Sequence, residues 1–395
     1  FDGKAVEIKD GASTFTTTNV NTVYGYTSGP VTAVLSDDEL IQLNALNGTG
    51  HTLTATIVEQ TDAAGAVTTL QAADLKALMG KLTSSSKINI GDAVTVVSGS
   101  TDDVTAVYGS GIFTFIGDEA ITLTDAASVS EVNALIQKVT GAVTATLSDN
   151  TLAVLDGITL NSTTGASAPV LSATVVDSTI DAAKANALLE KVATKTNVQF
   201  SGIAINGTLD DVNALYVTDG LGDLGLANEA VTISDTGELD GTKLTAVNAA
   251  TSGLITVNAT SIKGTATELK GIYDAKGTSG NKIAGLGAEN LLVEDADAAA
   301  ADLTHLDSDT TGLVGFAPTC LEISGTLTEV DAVLDAAIGD PTADPVVAPT
   351  ISPDALTKIQ DISTALLLAQ VNTLDGKLTT GVIDAALTDI AAHKE

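Results

Sequence analysis

The chain has 395 residues, 44% hydrophobic and only 17% charged, a balance that fits neither a disordered acidic tail nor a coiled coil. Its 17 basic residues are all lysine and face 50 acidic ones, for a net charge of −33. That argues strongly against a nucleic-acid partner, because phosphates would meet a repelling field with no guanidinium to clamp them. A single cysteine, Cys320, excludes a disulfide framework and a cysteine-based zinc site. No run approaches the ~18 apolar residues of a membrane span.

Along the chain, Ala5-Val-Glu-Ile-Lys9 reads as a short strand, followed by a helix over Phe15 to Tyr24. Next come Gly99-Ser-Thr-Asp-Asp-Val-Thr-Ala-Val-Tyr108 and the strand Glu119-Ala-Ile-Thr-Leu-Thr-Asp125. A helix is predicted over 128–139, with Val132, Leu135 and Val139 at helical spacing. A degenerate helical segment covers 150–159, and Leu171-Ser-Ala-Thr-Val-Val-Asp177 repeats the strand loosely. The pair then returns as Gly207-Thr-Leu-Asp-Asp-Val-Asn-Ala-Leu-Tyr216 and Glu229-Ala-Val-Thr-Ile-Ser-Asp235. Leu239, Leu244 and Val247 predict a helix up to the stop Thr251-Ser-Gly253. Residues 254–262 read as one strand, and Gly264-Thr-Ala-Thr-Glu-Leu-Lys-Gly-Ile-Tyr273 opens the next helix, with Leu269 and Ile272 on one face. Beyond a polar loop at 277–281, Glu289-Asn-Leu-Leu-Val-Glu-Asp295 and Gly325-Thr-Leu-Thr-Glu-Val-Asp-Ala-Val-Leu334 give a further copy.

Two interleaved motifs drifting together define a real repeat, strand–helix–strand–helix with a ~57-residue period. A ~10-residue helix returns the distance that a ~5-residue strand advances, and each βα unit can bury its apolar face only against a neighbour. The expected fold is therefore α/β, an elongated solenoid of βα repeats with a parallel sheet and short helices. A closed or doubly wound α/β globule is the alternative. The expected organisation is a solenoid over 1–340, a linker over 341–353 marked by Pro341, Pro345, Pro349 and Pro353, and a helical tail with a partial repeat over 354–395. Both ends read as falling inside a repeat, as in a longer repetitive chain.

Few residues point to chemistry, and none is assigned a catalytic, cofactor-binding or metal-binding role. Gly220-Leu-Gly222-Asp-Leu-Gly225 matches the dinucleotide pattern but precedes a strand instead of following one, so it reads as a turn between repeats; Gly285-Leu-Gly287 is its partial counterpart. Asp125, Asp177, Asp235 and Asp295 stand where strands give way to helices, and are expected to cap the helix that follows. The competing reading is a carboxylate ladder for calcium, helped by Asp37-Asp38, Asp102-Asp103 and Glu294-Asp295-Ala-Asp297. His51, His305 and His393 share no motif, and no nucleophile elbow occurs. Paired carboxylates for glycoside cleavage stay open. Tyr24, Tyr108, Tyr216 and Tyr273 share one repeat position and are expected at a packed helix end with the hydroxyl at the surface, or stacked on sugars. Asn47, Asn161, Asn206 and Asn258 begin glycosylation sequons.

The order Glu-x-Val-Thr-Ile-x-Asp, Leu-containing helix, Thr-Ser-Gly, Val/Ile strand and Gly-Thr-x-x-Glu-Leu-x-x-Ile-Tyr is carried by residues 229–273 and more loosely by 15–334. It resembles the repeat regions of very large secreted or cell-surface proteins of cyanobacteria. That resemblance implies surface-layer, sheath or adhesive material; the calcium-binding nonapeptides of such proteins do not occur here. The expected function is a non-enzymatic extracellular structural protein that self-assembles into a filament, surface layer or sheath. The expected partners are further copies of the chain, with divalent cations or glycans as possible ligands. An adhesin displaying an acidic glycan- or cation-binding surface, and a polysaccharide-active solenoid enzyme, are the alternatives.

Overall fold

A computed structural model describes residues 2–9, 15–58, 69–115, 117–202, 204–218, 224–339, 348–362, 368–378 and 384–385. The fold is α/β, with strands and helices alternating and every strand pair parallel. The chain forms two compact units, Phe1–Asp177 with Ala187–Phe200 and Ser178–Asn186 with Ser201–Glu395.

The first unit holds two sheets. Sheet I runs through Val6–Glu7, Val31–Val34, Thr52–Ile57, Lys87–Ile90 and Phe113–Thr114. Sheet II runs through Thr69–Gln71, Val96–Gly99, Ala120–Ala127, Val143–Leu147, Val170–Val175 and Val198–Phe200. The second unit holds three. Sheet III contains Thr179–Asp181, Ala204–Gly207, Ala230–Ile233, Ile255–Thr256 and Ile283–Ala284. Sheet IV contains Glu238–Asp240, Ser261–Gly264, Asn290–Val293 and Val314–Phe316. Sheet V contains Asp297–Ala299, Glu322–Gly325, Ile359–Ile362 and Asp384–Ala385. In every sheet the spatial order of strands is their order in the chain.

The expected strand–helix–strand–helix order holds over 120–155, as Ala120–Ala127, Val129–Ile136, Val143–Leu147 and Leu152–Leu155. Over 170–274 the unit is instead strand, strand, helix, with the two strands in different sheets. Ala230–Ile233 joins sheet III, Glu238–Asp240 joins sheet IV, and the helix Gly241–Ala250 follows. Ile255–Thr256 then returns to sheet III, Ser261–Gly264 to sheet IV, and the helix Ala266–Asp274 closes the unit. The stretch 254–262, expected as one strand, is therefore the two-residue strand Ile255–Thr256, a corner and the start of Ser261–Gly264. At that corner the Thr260 amide donates to the carbonyls of Thr236 and Gly237 in the corner of the preceding repeat. Leu239, expected on the helix, lies on the short strand before it. Its three-residue element carries one buried side chain, too little for a period of two to be read. The corner Val257-Asn-Ala-Thr260 has neither glycine nor proline to mark it.

The core is the alternation of these strands packed against the helices. In Ala230–Ile233 the side chains of Val231 and Ile233 are buried while Ala230 and Thr232 face out. Helix Ala266–Asp274 lays Ala266, Leu269, Ile272 and Tyr273 on the same interior. Each such Leu or Ile removed from water stabilises by roughly 1.5–3 kcal/mol, and the buried set recurs in every repeat. Lysine–aspartate pairs link neighbouring helices, Lys76 with Asp103 at 2.6 Å, Lys243 with Asp210 at 2.7 Å and Lys270 with Asp302 at 3.1 Å. Of the expected linker over 341–353 and tail over 354–395, the described part includes the bridge of Ile351 to Val314, the turn of 3-10 helix Pro353–Thr357 and the helix Leu368–Asp375.

Candidate functional site

The carboxylates form two recurring arrangements, one at each end of the helices. At the N-terminal end, the first helical amide of each of six helices is bonded by an aspartate from the following repeat. Thr101 donates to Asp125 at 2.7 Å, Val129 to Asp149 at 2.7 Å and Leu152 to Asp177 at 2.7 Å. Leu209 donates to Asp235 at 2.6 Å, Ala266 to Asp295 at 2.6 Å, and Thr17 to Asp37. The aspartate lies 20 to 29 residues after its partner. These residues do cap helices, as expected, but the helix is the previous one and not the next. Several helices in the set also have a cap of their own. Ser128 accepts from the third amide of Val129–Ile136, while Thr208 and Thr265 do the same for theirs, as Thr326 does for Leu327–Ile338 outside the set. Two free amides of one helix end are thus satisfied from two repeats, and the carboxylate sits at the positive end of the helix dipole. The amide and hydroxyl of Thr101 hold the Asp125 carboxyl below the usual carboxylate range. Asp37, named from sequence only as part of a calcium-gathering cluster, and Asp149, not singled out, complete the set; both follow a serine, and only the fold shows which amide lies beside them.

At the other end of the helices, the carboxylates are buried. Glu119, Glu229 and Glu289 are 0%, 4% and 3% exposed. The Glu229 carboxylate accepts from the amides of Ala227 and Asn228, at 2.9 and 3.1 Å, and from the Tyr216 hydroxyl at 3.1 Å. Glu289 repeats this with Gly287, Ala288 and the Tyr273 hydroxyl. The backbone carbonyl of each glutamate takes the next repeat's threonine hydroxyl, Thr251 at 3.0 Å and Thr310 at 2.7 Å. Those threonines in turn accept from Gly253 and Gly312. A Cβ at Gly253 or Gly312 would collide with that same glutamate carbonyl, so the Thr-x-Gly stop is required by close approach of two repeats.

This corrects the reading of the tyrosines. Tyr216 is 0% and Tyr273 is 5% exposed, so their hydroxyls are buried on glutamate and neither ring offers a face to a sugar. Burial beside Glu229 and Glu289 pushes both phenols well above their ordinary range. Tyr108 stacks on Phe115 with centroids 4.2 Å apart, and its buried hydroxyl has no hydrogen-bond partner among the described residues. Tyr24 meets His51 edge-on at 5.3 Å.

The remaining candidates are also committed. His51 is buried, accepting from the Val31 amide at 3.1 Å and facing the Asn47 carbonyl at 2.8 Å. His305 faces Asp309 at 3.0 Å on one helix, and His393 lies outside the described residues. Cys320 is buried, and burial raises its thiol. Gly220 to Asp223 lie outside the described residues, whereas Gly285 and Gly287 take positive φ in the turn that presents the Gly287 amide to Glu289. The Asn161 amide is spent on the carbonyls of Ile136 and Val139.

An acidic cleft of about 350 Å3 is lined by Asp210, Asp235, Glu238 and Asp240 with Lys243 and Lys263. Its carboxylates are occupied. Asp235 bonds Leu209, Asp240 bonds the Lys243 amide at 3.1 Å, and Asp210 and Glu238 pair with Lys243 and Lys263 at 2.7 and 3.4 Å. Among the described residues no three His, Cys, Asp or Glu side chains gather as a metal site, and no helix there is long and apolar enough to cross a membrane. No protein-family model and no curated protein sequence matches the chain.

Proposed function

We propose that this protein is a non-enzymatic extracellular structural protein. Its strand–strand–helix repeats stack as a solenoid and assemble with further copies into a filament, surface layer or sheath. The observation that carries this reading is the six-fold aspartate-to-amide bond between consecutive repeats. It spends the polar groups that could do chemistry on joining each repeat to the next. The buried glutamates, His51 and the cleft carboxylates are used the same way. The secreted or surface location rests on the acidic, arginine-free composition and on the resemblance to cyanobacterial surface-protein repeats. Negative-stain images of the native protein at high concentration, with and without calcium, test it. Ordered fibres or sheets are expected; monodisperse single particles in both conditions would overturn it.

A further inference from the structure

The solvent side of sheet II is a row of hydroxyl and amide side chains. Its strands carry Thr69, Gln71, Val96, Ser98, Thr122, Thr144, Thr146, Ser172, Thr174 and Gln199 outward, and no lysine or glutamate among them. The one ionisable residue in these strands is Asp125, tied to the start of the helix Thr101–Gly109. Sheets I, IV and V carry charge on their strands, Glu7 and Lys87 on I, Glu238 and Lys263 on IV, Asp297 and Glu322 on V. Sheet III has one aspartate, Asp181, bonded to the Lys184 amide, and fewer hydroxyls.

Elsewhere threonine and serine hydroxyls join repeats, as at Thr101, Thr251 and Thr310. Those of Thr122, Thr144, Thr146, Ser172 and Thr174 have no partner among the described residues. The parallel register places Thr122 beside Thr144, and Thr146 beside Ser172. A shallow cleft of about 300 Å3 lies over this region, lined by Thr146, Ser172, Thr174, Asn197 and Gln199 among others, without an ionisable group.

We propose that this face is where a second copy of the chain docks, a surface that deepens the assembly reading above and rests on it. Two molecules of net charge −33 repel wherever acidic faces meet. Apposing two uncharged faces avoids burying unpaired charge. A hydroxyl both donates and accepts, so a hydroxyl face is complementary to itself, whereas carboxylates only accept. Six strands spaced ~4.8 Å, with about four residues each, make a face of roughly 400 Å2. That is about half of the ~800 Å2 per partner in a stable pair. Such a contact is weak alone and holds when many act together in an array.

The test compares the unaltered protein with Thr146→Asp/Thr174→Asp and with Thr232→Asp. The last adds charge to the outward face of sheet III and serves as control. Each is first melted by circular dichroism, then followed by light scattering and negative-stain imaging. The double variant should raise the concentration needed for assembly at least tenfold, the control less than twofold, and 0.5 M salt should recover part of the loss by screening. If the double variant melts early, Thr146→Lys/Thr174→Lys replaces it, with the same expectation. Assembly of the unaltered protein with no change in either sheet II variant would overturn this face while leaving the assembly reading intact. A single-particle unaltered protein would instead overturn the assembly reading. Sheet II variants that assemble normally but lose retention on a neutral polysaccharide column would give the face to a glycan, and so overturn a second copy as its occupant.

Discussion

In the repeats of helices Leu209–Asn213 and Ala266–Asp274, the two helix ends are joined to the next repeat by the same functional group in opposite surroundings. At the N-terminal end the carboxylates of Asp125, Asp177, Asp235 and Asp295 are exposed or half-buried, and each accepts one backbone amide of the preceding helix. At the C-terminal end Glu229 and Glu289 are sealed from water, and each satisfies two amides and a tyrosine hydroxyl. The difference lies in what replaces a lost partner. Water can reach a helix end left open, but not the amides and phenol left beneath a repeat junction. The first contact is a modest contribution repeated many times; the second is costly to break at any one place.

The largest effect is expected where the buried network loses its centre. Glu229→Ala leaves the Ala227 and Asn228 amides and the Tyr216 hydroxyl unpaired, and should cost about 3 kcal/mol in urea unfolding. A loss below about 1 kcal/mol would erase the distinction between the two ends. Tyr216→Phe removes one hydrogen bond and keeps the ring, for a loss of about 1 kcal/mol. Tyr108→Phe sharpens the point, since its hydroxyl is buried without a partner among the described residues. Removing it should leave the melting temperature unchanged or slightly higher, and a clear drop would place a missing partner there.

Asp235→Ala opens the first amide of a helix to water and should cost about 1 kcal/mol. The helix caps also predict the pH dependence. Asp125, and Glu131, Glu268 and Glu329, which accept from the cap residues Ser128, Thr265 and Thr326 of their own helices, have folded pKa values below their ordinary ones, through amide or hydroxyl donors. The folded state therefore holds fewer protons than the unfolded chain. The stability they add is complete above the ordinary carboxylate range and is lost as pH falls through about 4 and below. Relief of the −33 charge acts the other way between neutral pH and about 5. Melting temperature should thus rise slightly on mild acidification and fall steeply below about 4, and a curve that only rises would contradict the capping role. The smallest change belongs to Lys243→Met, which breaks an exposed ion pair with Asp210 and should shift melting only at low salt.

Much of the architecture was legible along the chain. The paired motifs disclosed that it repeats, that strands and helices alternate, and that Leu269 and Ile272 face one interior, because period and apolar spacing are written locally. What stayed hidden was each second strand, three residues such as Glu238-Leu-Asp240, since so short an element has no period of its own.

The candidate contacts divide the same way. Composition and spacing by themselves determined that aspartates would meet helix starts and that tyrosines would sit at one recurring helix end. Only the tertiary structure decided that Asp125 serves the helix before it and that Tyr216 points inward onto Glu229. The reason is physical: a carboxylate pairs with whichever donor lies within 3 Å. In a parallel sheet the nearest donor belongs to the neighbouring strand's repeat, some 25 residues away along the chain, as Leu152 is from Asp177.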